Sequence, residues 1–198
     1  MRILMVADVE SKALWDYYVP GMFDDIDLIL SAGDLDADYL SFLVTMANVP
    51  VLYIHGNHDK YYHVKPPEGC TCIEDQIFEY EGVRILGLGG CQRYCHGPHQ
   101  YTEHQMKNRI MKLTFKLLWK RGFDILLTHA PSEGCGDSED LPHRGFRCFR
   151  SLIEKYHPSY HIYAHVHKDY GHKFQRIRSL GDTTVINAYE MYIIEYDK

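Results

Sequence analysis

The chain has 198 residues, of which 45% are hydrophobic and 24% charged, a composition typical of a globular protein with a substantial core. Its net charge of −6 argues against a nucleic-acid-binding protein that works through a broad basic face. No apolar run approaches the roughly 20 residues of a membrane-spanning helix, so we expect no membrane partner. Asp8 interrupts the apolar start, which therefore does not resemble a signal peptide. We expect a cytoplasmic protein whose six cysteines are reduced thiols.

The first third of the chain alternates between apolar runs and amphipathic segments. The apolar runs are typical of strands buried on both faces and cover residues 2–7, 28–30 and 51–54. We predict a helix after the first run, capped by Ser11 and ending near Pro20, and a second helix capped by Asp36. This alternation predicts parallel strands joined by right-handed crossovers.

The rest of the chain adds a hairpin, two helices and further strands within a single domain that we expect to cover residues 1–198. Thr102 and Gln105 form a capping box that opens a long helix ending at Gly122. The predicted hairpin joins residues 76–80 to 83–88, a helix covers about 146–156, and strands cover 125–127 and 161–164. The tail, residues 183–187 and 192–196, alternates in the manner of antiparallel strands. Three loops separate these elements: residues 60–72, 89–101 and 131–145.

Polar side chains follow five of the apolar strands at the points where the strands end. Gly56 to Asp59 alone could be an ordinary turn. If the strands lie side by side, however, these groups converge at one edge of the sheet, where open α/β folds bind their ligands. The groups are Asp8 and Glu10, Asp34, Asn57 to Asp59, His129, and His165 with His167.

Carboxylates, an amide and imidazoles together suit Zn²⁺, Mn²⁺ or iron better than Ca²⁺. They are too many for one tetrahedral ion and enough for two ions that share a carboxylate. Thirteen histidines in the chain also favour a metal site, since histidine is the commonest metal-binding side chain.

The order of these motifs resembles that of the calcineurin-like metallophosphoesterases. The family pattern is Asp-x-His, Gly-Asp, Gly-Asn-His-Asp, a lone histidine after a strand, and Gly-His-x-His. The matching segments here are Asp8-x-Glu10, Gly33-Asp34, Gly56-Asn57-His58-Asp59, His129 and Ala164-His165-x-His167. The resemblance implies an α/β fold built as a two-layer β-sandwich flanked by helices, in the order αββα. It also implies hydrolysis of phosphate mono- or diesters by a hydroxide that bridges two metal ions.

The resemblance implies a role for each matched residue. Asp8, Asp34 and His167 would hold the first ion, and Asn57, His129 and His165 the second, with Asp34 bridging both. His58 would protonate the leaving oxygen or stabilise the charge that develops there, and Asp59 would orient the His58 imidazole. The expected cofactors are two divalent ions, Mn²⁺ or Fe²⁺ in preference, with Zn²⁺ as an alternative.

Two positions depart from the family pattern. Glu10 replaces a histidine and either binds the first ion through oxygen, which favours harder ions, or points away and leaves that ion weakly held. Ala164 replaces a glycine without removing a ligand.

The loops that would overhang the ions supply the candidates for substrate binding. Arg93 and His96 are expected to contact a small phosphate-ester substrate. Six other histidines are expected to be surface or satisfied polar residues: His63, His104, His143, His157, His161 and His172. Two alternatives stay open: a non-catalytic metal-binding scaffold of the same fold, supported by Glu10, and a nuclease, which the acidic charge makes less attractive.

Overall fold

The structure is a computed structural model that describes residues 1–167 and 174–197, so His172 lies outside the described residues. The described strands are β1 Arg2–Ala7, β2 Leu28–Ser31, β3 Val51–Tyr53, β4 Thr71–Cys72, β5 Gln76–Tyr80, β6 Val83–Leu88, β7 Cys91–Gln92, β8 Gln100–Tyr101, β9 Ile125–Thr128, β10 Tyr160–Tyr163, β11 Ile177–Leu180, β12 Thr183–Asn187 and β13 Glu190–Glu195. The described helices are α1 Ala37–Ala47, α2 Glu103–Lys112, α3 Thr114–Trp119 and α4 Arg147–Tyr156.

Two mixed sheets carry the strands that lead to the site. The first has the order β13-β1-β2-β3-β4, with β1 to β4 parallel and β13 antiparallel to β1. The second has the order β11-β12-β10-β9-β6-β5, with a parallel centre and antiparallel edges. The five strands that end in polar residues are therefore not side by side, because β1, β2 and β3 lie in one sheet and β9 and β10 in the other. The tail is likewise only partly antiparallel, since β12 runs parallel to β10.

The two sheets face each other across an apolar layer, and helices cover their outer faces. Along β1, Ile3 and Met5 pack between the sheets, while Leu4 and Val6 pack on the α1 side. Strands buried on both faces read as continuous apolar runs, which explains the pattern of residues 2–7. Helices α2 to α4 cover the second sheet in the same way. The predicted αββα fold class is confirmed.

The helix predictions had mixed outcomes. Asp36 caps α1, and Thr102 forms its capping box with Gln105, both as predicted. The helix predicted after Ser11 is wrong, because residues 12–17 form turns. In that segment only Leu14 is buried, so it offers too little apolar surface to stabilise a helix.

The long helix predicted up to Gly122 is divided at Leu113 into α2 and α3. The Leu113 amide donates to the Ile110 carbonyl at 3.0 Å, which tightens the turn. The Thr114 hydroxyl also donates back to the Met111 carbonyl at 2.7 Å, as hydroxyls do where helices bend. Within the described ranges, no helix combines the length and apolar character that crossing a bilayer requires.

Candidate active site

The ends of four strands from the two sheets bring a carboxylate, an amide and two imidazoles together. The Nε2 atom of His129 lies 3.2 Å from Asp34 Oδ2, 3.0 Å from Asn57 Oδ1 and 3.1 Å from His165 Nδ1. Asp34 follows β2, Asn57 follows β3, and the two histidines follow β9 and β10. Side chains separated by more than 130 positions therefore meet in space; we call them the central cluster.

Backbone carbonyls fix the orientation of both imidazoles. The other ring nitrogen of His129, Nδ1, is 2.8 Å from the Ala32 carbonyl oxygen. The other ring nitrogen of His165, Nε2, is 2.9 Å from the Pro142 carbonyl oxygen. A carbonyl only accepts, so each of these nitrogens carries a proton and donates it. Nε2 of His129 and Nδ1 of His165 are therefore the atoms turned towards the cluster, as is usual for metal-binding histidines whose other nitrogen donates to a carbonyl.

The cluster has many electron-pair donors and few protons. Burial raises the pKa of Asp34, but the charge and hydrogen bond of His129 outweigh burial and lower it. Burial lowers the pKa of His129, but the Asp34 carboxylate outweighs burial and raises it. Burial, together with the charge of His129, lowers the pKa of His165 to about 3, so its Nδ1 stays unprotonated. The proton on His129 Nε2 is thus surrounded by three acceptors, from Asp34, Asn57 and His165. A divalent cation at this point fits the chemistry of all four side chains.

Asp8 and His167 form a second pair of candidate ligands beside the central cluster. The Oδ1 atom of Asp8 lies 3.7 Å from His167 Nε2. Both Asp8 oxygens also accept a hydrogen bond from the His165 amide, at 3.0 and 3.2 Å. The Asp8 side chain is fully buried, whereas that of His167 is 31% exposed. This pair could hold a second cation with the help of Asp34.

The backbone is unusual where the candidate residues lie. Asp8, Asp34 and His165 adopt left-handed conformations, with φ of 65°, 58° and 69°. Such conformations are uncommon for residues other than glycine and gather at functional sites. A Cβ on Gly33 would lie 2.2 Å from the Gly56 nitrogen, and one on Gly56 would lie 2.0 Å from Asp34 Oδ1. Only glycine at both positions allows the loops after β2 and β3 to approach this closely.

His58 and Asp59 differ in their surroundings. His58 is exposed and lines a cleft of about 340 Å³ together with Tyr61 and Lys65, while its amide donates to Asp34 Oδ1 at 2.6 Å. Asp59 is buried, and its Oδ2 accepts from the amides of Asp34 and Gly56 at 2.9 and 2.7 Å. Burial and the nearby Asp34 carboxylate raise the pKa of Asp59 to about 6. Asp59 thus joins the two loops. Asp59 was expected to orient the His58 imidazole, but in the described ranges none of its hydrogen bonds goes to that ring.

The remaining predicted residues lie outside the central cluster. The Oε1 atom of Glu10 accepts from the Asp36 amide at 2.9 Å, at the N-terminus of α1, where its negative charge is favourable. Arg93 is exposed and donates to Gln105 Oε1 at 3.0 Å, near the start of α2. His96 is exposed in the same loop.

The structure also brings to the site residues that the sequence did not single out. The Asn57 amide nitrogen donates to the Tyr94 hydroxyl at 3.2 Å, which leaves Asn57 Oδ1 turned to the cluster. His143, expected to be a surface or satisfied residue, is paired with Asp140 and has its ring centre 5.1 Å from that of His165. No spacing in the sequence indicates these contacts, because all of them depend on how the loops fold over the strand ends.

A partly buried ion-pair network supports the loop that carries Asn57. Glu74 accepts from the amides of His55 and Gly89 at 3.2 and 3.1 Å and forms an ion pair with Arg109 of α2. Arg109 in turn donates to the Gly89 carbonyl at 2.9 Å and to Asp75. Glu74 and Arg109, which we call the loop clamp, therefore join α2 to the loops after β3 and β6.

Comparisons with known proteins identify a family and relatives for this chain. The family model described as calcineurin-like phosphoesterase matches residues 1–169. The chain is 37% identical to UPF0046 protein K07C11.7 of Caenorhabditis elegans, over 95% of this chain and 69% of that protein. It is 36% identical to a probable metallophosphoesterase of Methanothermobacter thermautotrophicus, over 41% of this chain and 43% of that protein.

The fold also matches a solved structure. TT1561 of Thermus thermophilus superposes with a TM-score of 0.61 at 16% identity, over 96% of this chain and 89% of that one. At that level of identity the match shows the shared fold alone.

Proposed function

We propose that this chain, which belongs to the calcineurin-like phosphoesterase family, hydrolyses phosphate mono- or diesters at the central cluster. The family consists of metal-dependent hydrolases of phosphoester bonds. The observation that carries the proposal is the convergence of Asp34, Asn57, His129 and His165, with both imidazoles held by backbone carbonyls.

We assign the candidate ligands to two divalent ions. Asp8, Asp34 and His167 would hold the first ion, and Asn57, His129 and His165 the second, with Asp34 shared. The oxygen-rich first set favours Mn²⁺ or Fe²⁺, and Zn²⁺ is compatible with the second set. Ligation of the first ion by Glu10 stays a prediction, because it requires Glu10 to leave the Asp36 amide.

The bound ions would polarise the phosphoryl oxygens and make a water molecule acidic enough to attack at neutral pH. The chain's own residues would supply positioning and a proton. His58 is exposed on the cleft, so its imidazole can reach the oxygen of a leaving group and protonate it. Asp59 holds the loops of Asp34 and Gly56 together through their amides, which keeps the Asp34 carboxylate in place. Arg93 and His96 remain proposed contacts for the substrate.

The test is hydrolysis of bis-p-nitrophenyl phosphate and p-nitrophenyl phosphate by the purified chain with Mn²⁺, Fe²⁺, Zn²⁺ or Ni²⁺. We expect turnover with at least one ion, and a loss of about 100-fold or more in kcat for His58→Ala, as for removal of a general acid. His129→Ala should lose both metal binding and activity. His104→Ala, an exposed histidine on α2, is the matched control and should leave activity unchanged.

Absence of turnover with all four ions would contradict the proposal, as would full activity in both site variants. Tight binding of metal without turnover would instead favour the non-catalytic scaffold.

A further inference from the structure

Helices α2 and α3 present a second apolar face that the fold does not use. Their inner face, with Met106, Leu113 and Leu117, is buried against the second sheet. Their outer face carries four apolar side chains that are 54%, 85%, 62% and 82% exposed, respectively: Met111, Phe115, Leu118 and Trp119. We call these four residues the outer stripe.

The outer stripe is a continuous strip. Phe115 is four positions from both Met111 and Trp119 and three positions from Leu118, the spacings at which side chains on a helix are neighbours. Leu113, which links α2 to α3, stays in the right-handed region, and its carbonyl accepts from the Leu117 amide at 2.9 Å, so only one tightened turn separates Met111 from Phe115. Four large apolar side chains exposed together on a monomer mark an interaction surface rather than scattered surface residues.

The charge around the outer stripe opposes that of the whole chain. Residues 107–121 contain six lysines and arginines and no acidic residue, although the chain has a net charge of −6. Arg109 and Lys120 form ion pairs with Glu74 and Glu79. The remaining basic side chains are exposed around the stripe: Lys107, Lys112, Lys116 and Arg121.

We propose that the outer stripe docks this protein onto the interface of an anionic lipid bilayer. A helical surface with tryptophan, phenylalanine and leucine on one side and lysines beside them is the pattern of helices that lie in the plane of the membrane interface. Phe115 and Trp119 project from the surface, so they suit insertion among lipid headgroups better than enclosure by a rigid partner. The charge complementarity of the surrounding lysines with phosphatidylserine selects an anionic bilayer over a neutral one.

Docking in this way leaves the candidate active site open to water. The outer stripe ends at Trp119, and residues 122–124 then lead into the start of β9. His129 of the central cluster follows the opposite end of β9. The stripe and the site are therefore at opposite ends of that strand. This proposal revises the expectation of no membrane partner, and it concerns binding at the membrane surface only.

The experiment is co-sedimentation of the full chain with vesicles of phosphatidylcholine, with and without about one-third phosphatidylserine. We expect binding to the anionic vesicles only. Phe115→Ala combined with Trp119→Ala should reduce the partition coefficient by about tenfold or more. Lys116→Glu should reduce it by about fivefold or more, since each basic residue near such a surface contributes about that factor.

Matched controls use exposed residues on another surface. Tyr17→Ala combined with Val19→Ala removes two exposed apolar side chains, and Lys12→Glu makes the same charge change as Lys116→Glu. These controls should bind anionic vesicles as the parent chain does. Thermal melts check folding, and phosphodiesterase activity without vesicles should be equal in all variants, which separates this test from that of the proposed function.

No binding to anionic vesicles, or equal loss in the stripe variants and the controls, would overturn the proposal. A lipid-free dimer that the Phe115→Ala and Trp119→Ala pair converts to a monomer would also overturn it, because the stripe would then be a subunit interface. Binding to single-stranded nucleic acid in place of vesicles would overturn it as well.

Discussion

Gly56 allows the Asp34 carboxylate to lie where the central cluster needs it. A methyl group at this position would overlap Asp34 Oδ1, with a separation of 2.0 Å, and the backbone of Asp34 is nearly as close. We therefore predict that Gly56→Ala displaces Asp34, destabilises the fold by about 3 kcal/mol and weakens Mn²⁺ binding at least tenfold. Urea unfolding and calorimetric metal titration measure the two effects.

Gly181→Ala is the control for the Gly56 prediction. Gly181 has a φ of 61° but open space around its Cβ position, so alanine there adds only backbone strain. Gly181→Ala should lower the free energy of unfolding by about 1 kcal/mol and leave Mn²⁺ binding unchanged. Equal metal affinity in Gly56→Ala and the parent chain would show that the close approach of the two loops does not matter to the cluster.

His161 makes the stability of the fold depend on pH. Its ring is fully buried, with Nε2 2.8 Å from the Thr128 hydroxyl, and burial lowers the pKa of His161 to about 3. The unfolded chain binds a proton near pH 6.5, whereas the folded chain does not until about pH 3. The contribution of the neutral His161 ring to the free energy of unfolding is therefore complete above pH 6.5. It is lost as the pH falls towards 3, at up to about 1.4 kcal/mol per pH unit.

Replacing His161 should flatten that pH dependence. The difference in unfolding free energy between pH 6.5 and pH 4.5 should be smaller in His161→Leu than in the parent chain, by about 2 kcal/mol. His104→Gln, which changes an exposed histidine, should keep the parent slope. Urea unfolding at several pH values gives these slopes, and parallel slopes for His161→Leu and the parent would mean that the buried ring does not control acid stability.

At the scale of elements, the loop clamp links helix α2 to the loop that carries Asn57. Burial raises the pKa of Glu74, but the His55 hydrogen bonds and the Arg109 charge outweigh burial and lower it. Arg109→Met would leave Glu74 charged and without the arginine that pairs with it. We expect this to lower the free energy of unfolding by about 3 kcal/mol. We also expect kcat for the phosphodiester to fall at least tenfold, because the loops after β3 and β6 lose their common partner.

Arg84 offers a matched comparison for the loop clamp. It pairs with Asp124 at 2.5 Å between β6 and the start of β9, at the end of the sheet away from the site. Arg84→Met should therefore lower stability while leaving kcat per folded molecule unchanged. If both variants lost activity in proportion to their stability, the clamp would have no specific role in positioning the site.

At the scale of the whole molecule, the sequence predicted the layers well because buried strands and capped helices leave local signals. Apolar runs located β1, β2, β3, β9 and β10, and the residues Asp36 and Thr102 located the starts of α1 and α2. The turns after Ser11 were missed because that segment buries too little apolar surface to stabilise a helix. The break at Leu113 was missed because the Thr114 hydroxyl bonds back to the Met111 carbonyl, which the apolar pattern does not show.

The candidate site was predictable as a set of residues but not as an arrangement. Motif order indicated Asp34, Asn57, His129 and His165, whereas the two-sheet arrangement that makes them meet follows from strand pairing across the chain. The carbonyl oxygens of Ala32 and Pro142 hold the imidazoles, and backbone atoms have no sequence signal. Glu10 shows the same limit, since its contact with the Asp36 amide depends on how close α1 lies to the end of β1.

The most direct test of the central claim is anomalous diffraction from a crystal of the chain soaked in Mn²⁺. The account predicts a peak surrounded by Asp34 Oδ2, Asn57 Oδ1, His129 Nε2 and His165 Nδ1, and a second peak beside Asp8 and His167. A map with no peak among those four atoms, or with manganese bound only elsewhere on the chain, would contradict it.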